Sequence, residues 1–204
     1  MPGDESDERL FERFRRGDAG AFELLVRRHR APLFTFLVRL GVDRPRAEDV
    51  LQDTWLRAVS AAQRWEPRAR FRTWLYTVAR NLAADEARRA ATRRAVPLAD
   101  PPVEGAPPPL DGAAAPDPGP DRRAASAEIR PRLEAALAAL PEEQREVFVL
   151  REYAGVPFAE IAAITGAPQP TVKSRMRYAL EGLRRSLAEL GVGAGDAAPG
   201  STGT

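Results

Sequence analysis

Cysteine is absent from the 204-residue sequence, and histidine and lysine each occur once. The lack of cysteine excludes disulfides, thiolate metal ligands and cysteine nucleophiles. The single histidine, His29 in "VRRHRAP", is typical of a solvated helix residue rather than of a catalytic group. The sequence shows no phosphate-binding loop and no nucleophile–base pair, so we expect no enzymatic activity, no metal and no cofactor.

Long apolar runs are missing as well. No segment approaches the roughly 18 consecutive apolar residues that a membrane span needs. The N-terminal stretch "MPGDESDERL" is acidic and polar, which does not fit a secretory signal. We therefore expect a cytoplasmic protein with no membrane insertion.

Proline is plentiful but unevenly distributed, and this marks the domain organisation. Many of the 19 prolines fall in "AVPLADPPVEGAPPPLDGAAAPDPGPDRRA", a composition that favours an extended linker over a packed element. We predict a first domain at 7–94, a Pro/Ala-rich flexible linker at 95–126, a second domain at 127–190 and a disordered tail at 191–204.

Both predicted domains are all-α. Apolar residues recur at spacings of three and four, and the alternation of a β-strand is hardly present. The predicted helices cover Asp7–Arg16, Ala19–Arg39, 44–62, 71–94 and 126–139, followed by three that begin near Pro141, Pro157 and Pro170. The fold class is thus two small helical domains joined by a linker.

The stretch "PFAEIAAITGAPQPTVKSRMRYALEGLRR" has the outline of a helix-turn-helix, with Gly166 at the break. At 100° per residue, Val172, Met176 and Leu183 share one apolar face of the second helix. The polar face and its flanks provide candidate contacts to duplex DNA: Thr171, Lys173, Ser174, Arg175, Arg177 and Tyr178. An ordinary amphipathic helix pair with a solvated basic face is the alternative.

The stretch "FRTWLYTVARNLAADEARR" carries a second stripe beside its apolar one. The stripe combines an aromatic ring, hydrogen-bonding groups and a cation: Trp74, Thr77, Asn81, Asp85 and Arg88. Unpaired bases need rings to stack on, partners for their edges and cations for their phosphates. The alternative is that Trp65, Trp74 and Tyr76 complete a small core.

The stretch "AEDVLQDTWLRA" has the opposite charge. Glu48, Asp49 and Asp53 give it an acidic edge beside apolar residues. This pattern is compatible with docking onto a basic partner surface, or with a solvated helix face.

Taken together, these three stretches resemble the extracytoplasmic-function (ECF) sigma factors, the small promoter-recognition subunits of bacterial RNA polymerase. The resemblance covers about residues 8–94 and 127–188. "FRTWLYTVARNLAADEARR" is similar to the family's helix for the melted minus-ten element, and "AEDVLQDTWLRA" to its polymerase-docking helix. The segment from "LPEEQREVF" to "EGLRR" is similar to the domain that reads the minus-thirty-five element. Two residues depart from the family pattern. Pro170 stands where many members have Gly, and Tyr178 stands where some members have Arg.

The resemblance implies roles for residues at matching positions. The minus-ten element would be held by Trp65, Arg70, Trp74, Thr77, Asn81, Asp85 and Arg88. The clamp helices of the largest polymerase subunit would be met by Glu48, Asp49, Gln52, Asp53 and Leu56. The helix-turn-helix residues would contact the minus-thirty-five duplex. The implied partners are core polymerase, including its flap, promoter DNA as duplex and as melted non-template strand, and an anti-sigma factor.

Two other classes of protein remain open at this point. A stand-alone helix-turn-helix regulator would bind duplex DNA without polymerase and use the first domain to dimerise or to sense a signal. A helical adaptor would bind only proteins. The long linker and the aromatic–Asn–Arg stripe disfavour the first alternative, and the two basic faces disfavour the second.

Overall fold

The computed structural model describes residues 5–64, 69–95 and 131–189, and these residues form helices and turns without a strand. In chain order the helices are α1 (Asp7–Arg15), α2 (Ala19–Arg39), α3 (Arg44–Ala61), a 3-10 turn (Ala62–Arg64), α4 (Phe71–Ala95), α5 (131–139), α6 (Glu142–Glu152), α7 (Phe158–Thr165) and α8 (Gln169–Glu189). The all-α prediction is confirmed. The predicted linker beyond residue 95 and the predicted tail lie outside the described residues.

Three of the N-terminal helices begin at a side chain that caps the first turn. Ser6 accepts a hydrogen bond from the backbone N–H of Arg9, and Asp18 accepts one from Ala21 at 3.2 Å. Asp43 does the same for α3, which has proline in its first turn. Each cap satisfies an N–H group that the helix itself leaves unpaired, worth about 1 kcal/mol.

The N-terminal unit, α1–α4, is built around a core of aromatic and leucine side chains. The rings of Phe11 and Phe71 lie 4.7 Å apart between their centroids, and Phe36 packs edge-on against Tyr76 at 5.2 Å. All four side chains are fully buried. Burying each of them contributes roughly 1.5–3 kcal/mol, so this cluster fixes α1, α2 and α4 relative to one another.

The C-terminal unit, α5–α8, depends on two glycines. Gly166 ends α7 with φ +70°, a left-handed conformation that suits glycine and turns the chain into α8. Gly182 lets α8 approach the end of α5 closely, since a Cβ there would lie 2.7 Å from Leu140 Cδ2. The two positions set the geometry of the predicted helix-turn-helix.

The two units are in contact. Helix α7 packs against α4, and α6 packs against α2, so the buried apolar residues of both units form one continuous cluster. The part of the chain described by the structure contains no helix with the length and apolar character that a membrane crossing needs.

The prediction that His29 is a solvated helix residue is wrong. Its side chain is 7% exposed, and its Nε2 lies 2.8 Å from Asp7 Oδ2. Arg28 also donates to Asp7, and Phe71 N–H donates to Glu8. Burial alone would raise the pKa of Asp7, but the hydrogen bonds and charges of His29 and Arg28 outweigh it and lower that pKa. The contacts of Asp7 and Glu8 anchor the start of α1 to α2 and α4.

The Asp7→Asn variant is expected to lower the free energy of unfolding by roughly 1.5–3 kcal/mol at neutral pH, because it removes hydrogen bonds to a charged group. The folded-state pKa of Asp7 lies below its ordinary value of 3.8. Its contribution is therefore complete above that value and is lost as the pH falls through the folded-state pKa. Urea unfolding of both proteins should show a stability gap at about pH 5 that narrows towards about pH 2.5. A constant gap over this range would contradict the assignment, and the exposed Glu23→Gln change serves as control.

Candidate nucleic-acid interface

Helix α8 presents one face to the core and the other to solvent. Val172, Met176 and Leu183 are buried against α6 and α7. The candidate DNA contacts lie on the opposite side or at its edges. Lys173, Ser174, Arg177 and Tyr178 are exposed, while Thr171 and Arg175 are half-buried.

The exposed face of α8 has an aromatic ring with a cation beside it. Tyr178 is 48% exposed, and the guanidinium of Arg177 lies 4.9 Å from the centroid of its ring. Arg175 differs from its neighbours, because its Nη2 lies 2.5 Å from Glu143 Oε2 on α6. That ion pair holds Arg175 at the edge of the face, whereas Lys173 and Arg177 are exposed to solvent.

The residues of the predicted minus-ten stripe lie along one side of helix α4. Asn81 and Arg88 are exposed, and Trp74, Thr77 and Asp85 are half-buried. Arg88 forms an ion pair with Asp85 one turn earlier. The exposed amide of Asn81 can both donate to and accept from the edge of a base.

Two of the half-buried members of the stripe, Trp74 and Thr77, are fixed by contacts with neighbouring residues. Trp74 lies against Phe11 and Phe71, with ring centroids 6.3 and 5.9 Å away. The Thr77 hydroxyl donates to the Thr73 carbonyl at 2.8 Å, which leaves its oxygen free to accept. The ring of Trp74 is thus packed against the core on one side and half-exposed on the other.

Three further candidate residues of this region, Tyr76, Arg70 and Trp65, differ in what the structure shows of them. Tyr76 is buried, and burial raises the pKa of its phenol, so the core interpretation applies to it. Arg70 precedes α4 with a 71% exposed side chain and an ion pair to Glu160 at 3.1 Å. Trp65 lies outside the described residues.

Helix α3 exposes its acidic edge. Glu48, Asp49, Gln52 and Asp53 are all on the solvent side, while Val50 and Leu51 face the core.

Two exposed apolar side chains follow the acidic edge of α3 towards the end of the helix. Leu56 is 56% exposed and Val59 is 44% exposed, one turn apart on α3. Sequence reasoning named Leu56 and missed Val59, although an apolar residue three positions further along a helix was the available signal. Exposed apolar side chains rimmed by charge are typical of protein–protein contacts.

No group of three or more His, Asp or Glu side chains in residues 5–64, 69–95 and 131–189 is placed to hold a metal ion. The described surfaces are instead a basic helix of a helix-turn-helix, an aromatic and polar stripe, and an acidic helix edge followed by two exposed apolar side chains. They define an all-α, two-unit protein of the helix-turn-helix class.

Comparison with known proteins places this architecture in a family. Residues 25–93 match the family model for Sigma-70 region 2, and residues 130–183 match the model for Sigma-70, region 4. The RNA polymerase sigma-H factor of Pseudomonas aeruginosa is 33% identical over 187 residues, which cover 91% of this chain and 96% of that protein. The ECF RNA polymerase sigma factor SigL of Mycobacterium tuberculosis is 38% identical over 176 residues, covering 86% and 93%. The chain belongs to the ECF subfamily of RNA polymerase sigma factors.

A solved structure agrees with this assignment. The structure of CnrH in complex with the cytosolic domain of CnrY superposes with a TM-score of 0.64 at 26% identity, over 91% of this chain and 99% of that chain. Family membership supports the sigma-factor prediction over a stand-alone regulator.

Proposed function

We propose that this chain binds core RNA polymerase and directs it to promoters by holding two DNA elements, one melted and one duplex. The observation that supports this most is the exposure of three chemically distinct surfaces on α3, α4 and α8. The N-terminal unit would be the polymerase-docking and minus-ten domain, over about residues 7–94. The C-terminal unit would be the minus-thirty-five domain, over about 127–190.

On α3, Glu48, Asp49, Gln52 and Asp53 would meet a basic surface on the clamp helices of the largest subunit. Leu56 would fill an apolar pocket at the centre of that contact, and Val59 would extend it. Buried apolar anchors surrounded by complementary charge give an interface both affinity and orientation. This docking would bring the minus-ten stripe to the site where the duplex opens.

On α4, Asn81 and Asp85 would hold the edge of an unstacked base from the non-template strand. Trp74 would form a wall of that pocket, Thr77 would accept a hydrogen bond, and Arg88 would meet a phosphate. Arg70 and Trp65 would complete the site from the loop before α4. Capture of each base would contribute about 1–3 kcal/mol, which favours the melted state without any covalent step.

On α8, Lys173 and Arg177 would neutralise phosphates, and Thr171, Ser174 and Tyr178 would face base edges in the major groove. Arg175 would contribute from the edge of the face. The protein would therefore act by binding, as a cytoplasmic initiation factor without catalysis of its own. We also propose an anti-sigma factor as partner, since the similar protein CnrH is seen with the cytosolic domain of another protein.

Co-elution of the purified protein with bacterial core RNA polymerase on a sizing column tests this function. A one-to-one complex is expected, together with weak binding of duplex DNA by the protein alone. Clean duplex binding without any polymerase complex would overturn the proposal and would favour a stand-alone helix-turn-helix regulator.

Replacing Lys173 and Arg177 together by alanine is expected to weaken protection of the minus-thirty-five duplex in the polymerase complex by at least tenfold. Two lost phosphate contacts also predict a salt dependence shallower by about two in the slope of log K against log salt. Footprinting at several salt concentrations measures both effects. The control is Arg16→Ala with Arg27→Ala, which removes two exposed cations, one directly after α1 and one on α2. Equal protection in both double variants would contradict the assignment of α8.

A further inference from the structure

An ion pair joins two helices of the C-terminal unit beside the proposed minus-thirty-five surface. Arg175 Nη2 on α8 lies 2.5 Å from Glu143 Oε2 on α6, although the two residues are 32 positions apart in the sequence. The Arg175 side chain is 22% exposed and the Glu143 side chain is 69% exposed. The pair therefore lies at the edge of the packed surface between α6 and α8, with its carboxylate largely in solvent.

Arg175 and Lys173 lie on opposite flanks of α8. At 100° per residue, Arg175 is about 60° from the buried Val172 on one side, and Lys173 is about 100° from it on the other. The exposed Ser174 and Tyr178 lie between these flanks, on the side that faces away from the core. A helix in the major groove has a phosphate backbone on each side, so its two flanks meet different strands. Arg175 thus belongs to the flank next to α6.

The three cations of this surface differ in how firmly they are held. Within residues 131–189, Lys173 has no ion-pair partner, and Arg177 lies 3.8 Å from Glu181, beyond hydrogen-bond distance. Of the three, Arg175 is the one that donates a hydrogen bond to a carboxylate. Lys173 is consequently a point charge on a flexible stem, whereas Arg175 has a fixed partner.

The contact with Glu143 uses only part of the Arg175 guanidinium. It is made through Nη2, while Nε and Nη1 have no hydrogen-bond partner among the described residues. Arginine carries five N–H donors in a planar fork, so most of them are left for another acceptor. A guanidinium already held at one nitrogen loses less conformational freedom when the remaining donors bind a phosphate.

The pair contributes little to the stability of the fold. Solvent-exposed ion pairs are weak, and the packing of α8 depends instead on buried side chains and on Gly182, where the helix approaches Leu140 closely. Glu143 lies in the first turn of α6, where a carboxylate is favoured, but Glu142 beside it meets that need equally. What distinguishes Glu143 from Glu142 is its contact with Arg175.

We propose that Glu143 is a positioning residue for the minus-thirty-five element, which holds Arg175 so that its free donors meet one phosphate backbone in a fixed register. This inference rests on the proposed function, because it takes α8 as the helix in the major groove. Phosphate contacts set the register and orientation of a protein on its duplex. The carboxylate also neutralises Arg175, so the flank attracts phosphates in the wrong register only weakly. Glu143 therefore increases discrimination between duplexes more than it increases affinity.

The substitution Glu143→Gln removes the charge that holds Arg175 and changes few atoms. In the complex with core polymerase, affinity for a minus-thirty-five duplex that the wild-type complex selects from a randomised library should fall about three- to tenfold. Free full-length protein should bind a mixed-sequence duplex about two- to threefold more tightly at low salt, because Arg175 can then contact any phosphate. The slope of log K against log salt for this second duplex should steepen by up to about one.

The matched control is Glu142→Gln, which removes the same charge from the same turn of α6 at an exposed side chain without an ion pair in the described part of the chain. It should change either affinity by less than about twofold. Thermal unfolding of both variants should give a Tm within about 3 °C of wild type. Equal affinities in the Glu143 and Glu142 variants would overturn the proposal. A parallel loss on both duplexes would also overturn it, because it would indicate a purely structural role.

A double-variant cycle tests whether Glu143 acts through Arg175. Arg175→Ala alone should reduce affinity for the selected duplex at least as much as Glu143→Gln does. Adding Glu143→Gln to Arg175→Ala should then cause no further loss, because the group that Glu143 holds is already absent. A further loss of about threefold or more would show that Glu143 acts independently of Arg175, and would overturn the positioning role.

The outcomes for this pair and for the proposed function can be told apart. Failure of the wild-type protein to co-elute with core polymerase would overturn the proposed function. The positioning role is decided by the difference between the Glu143 and Glu142 variants, and its mixed-sequence measurement uses free protein without polymerase. Tighter binding of the mixed-sequence duplex together with weaker binding of the selected one is the result expected for Glu143→Gln.

Discussion

Replacing Asp53 by arginine is expected to abolish co-elution of the protein with core RNA polymerase, with at least a 100-fold loss of affinity. Asp53 is exposed on α3 within one turn of Leu56, so the new cation would face the basic surface that the acidic edge is proposed to meet. Like charges brought together at an interface cost several kcal/mol, and each 1.4 kcal/mol is a factor of ten. Fluorescence titration of labelled protein with core polymerase measures the loss.

The matched control for this change is Glu23→Arg, the same charge reversal on α2 at a side chain that is 70% exposed. It should leave polymerase affinity within about twofold, because exposed single ion pairs contribute little. Thermal unfolding of both variants checks that the fold is retained. Comparable losses of affinity in the two variants would show that overall charge, and not the α3 surface, governs binding.

Replacing Leu56 by alanine distinguishes the apolar contribution of the α3 surface from its acidic contribution. The acidic edge steers the approach of a basic partner, whereas Leu56 and Val59 can provide buried area once contact is made. Charge reversal at Asp53 should therefore act mostly on association, and its effect should diminish at high salt. Leu56→Ala should act mostly on dissociation and should be insensitive to salt. This difference follows from the chemistry of one helix face.

The elements of the fold were predictable because their signals are local. Asp43 with the proline after Arg44 predicts the start of α3, and Gly166 predicts the break between α7 and α8; both are found. The apolar face of α8 was predictable for the same reason, since Val172, Met176 and Leu183 recur at helical spacing. Caps, breaks and periodicity depend on residues within a few positions of each other.

The buried polar contacts could not be predicted, because their partners are distant in sequence. His29 pairs with Asp7, 22 residues away, which explains why a histidine in an arginine-rich stretch is buried. Arg80 and Glu146 are separated by 66 residues. Nothing in the helical pattern distinguishes Glu146 from an ordinary solvated glutamate of α6, since only the contact between the units brings it to α4.

This distinction also bears on the proposed minus-ten site. The periodicity of α4 indicates which residues share a face, and the structure shows that Asn81 and Arg88 of that face are exposed. The periodicity could not indicate that the other unit engages Arg70, Arg72 and Arg80. The exposed residues of the predicted stripe thus share α4 with Arg72 and Arg80, which the other unit engages.

Replacing Asn81 by alanine is expected to reduce promoter opening by roughly 10- to 100-fold while leaving polymerase affinity unchanged. The exposed amide is lost from the proposed base pocket, and a well-placed pair of hydrogen bonds to a base contributes about 1–3 kcal/mol. Because that base is available only after strand separation, the lost free energy falls on the melted state and not on docking. Permanganate reactivity of unpaired thymines in the polymerase–promoter complex measures the open fraction.

The control is Arg89→Ala, an exposed residue of the same helix that lies about 80° around its axis from Asn81. It should change opening far less than Asn81→Ala, although it removes a full charge. A template with a pre-melted minus-ten region sharpens the test. If Asn81 holds a base, the variant remains weaker than wild type on this template, because the contact is still missing after melting is provided. Full recovery there would mean that Asn81 assists strand separation without holding the separated base, and the base-pocket assignment on α4 would be wrong.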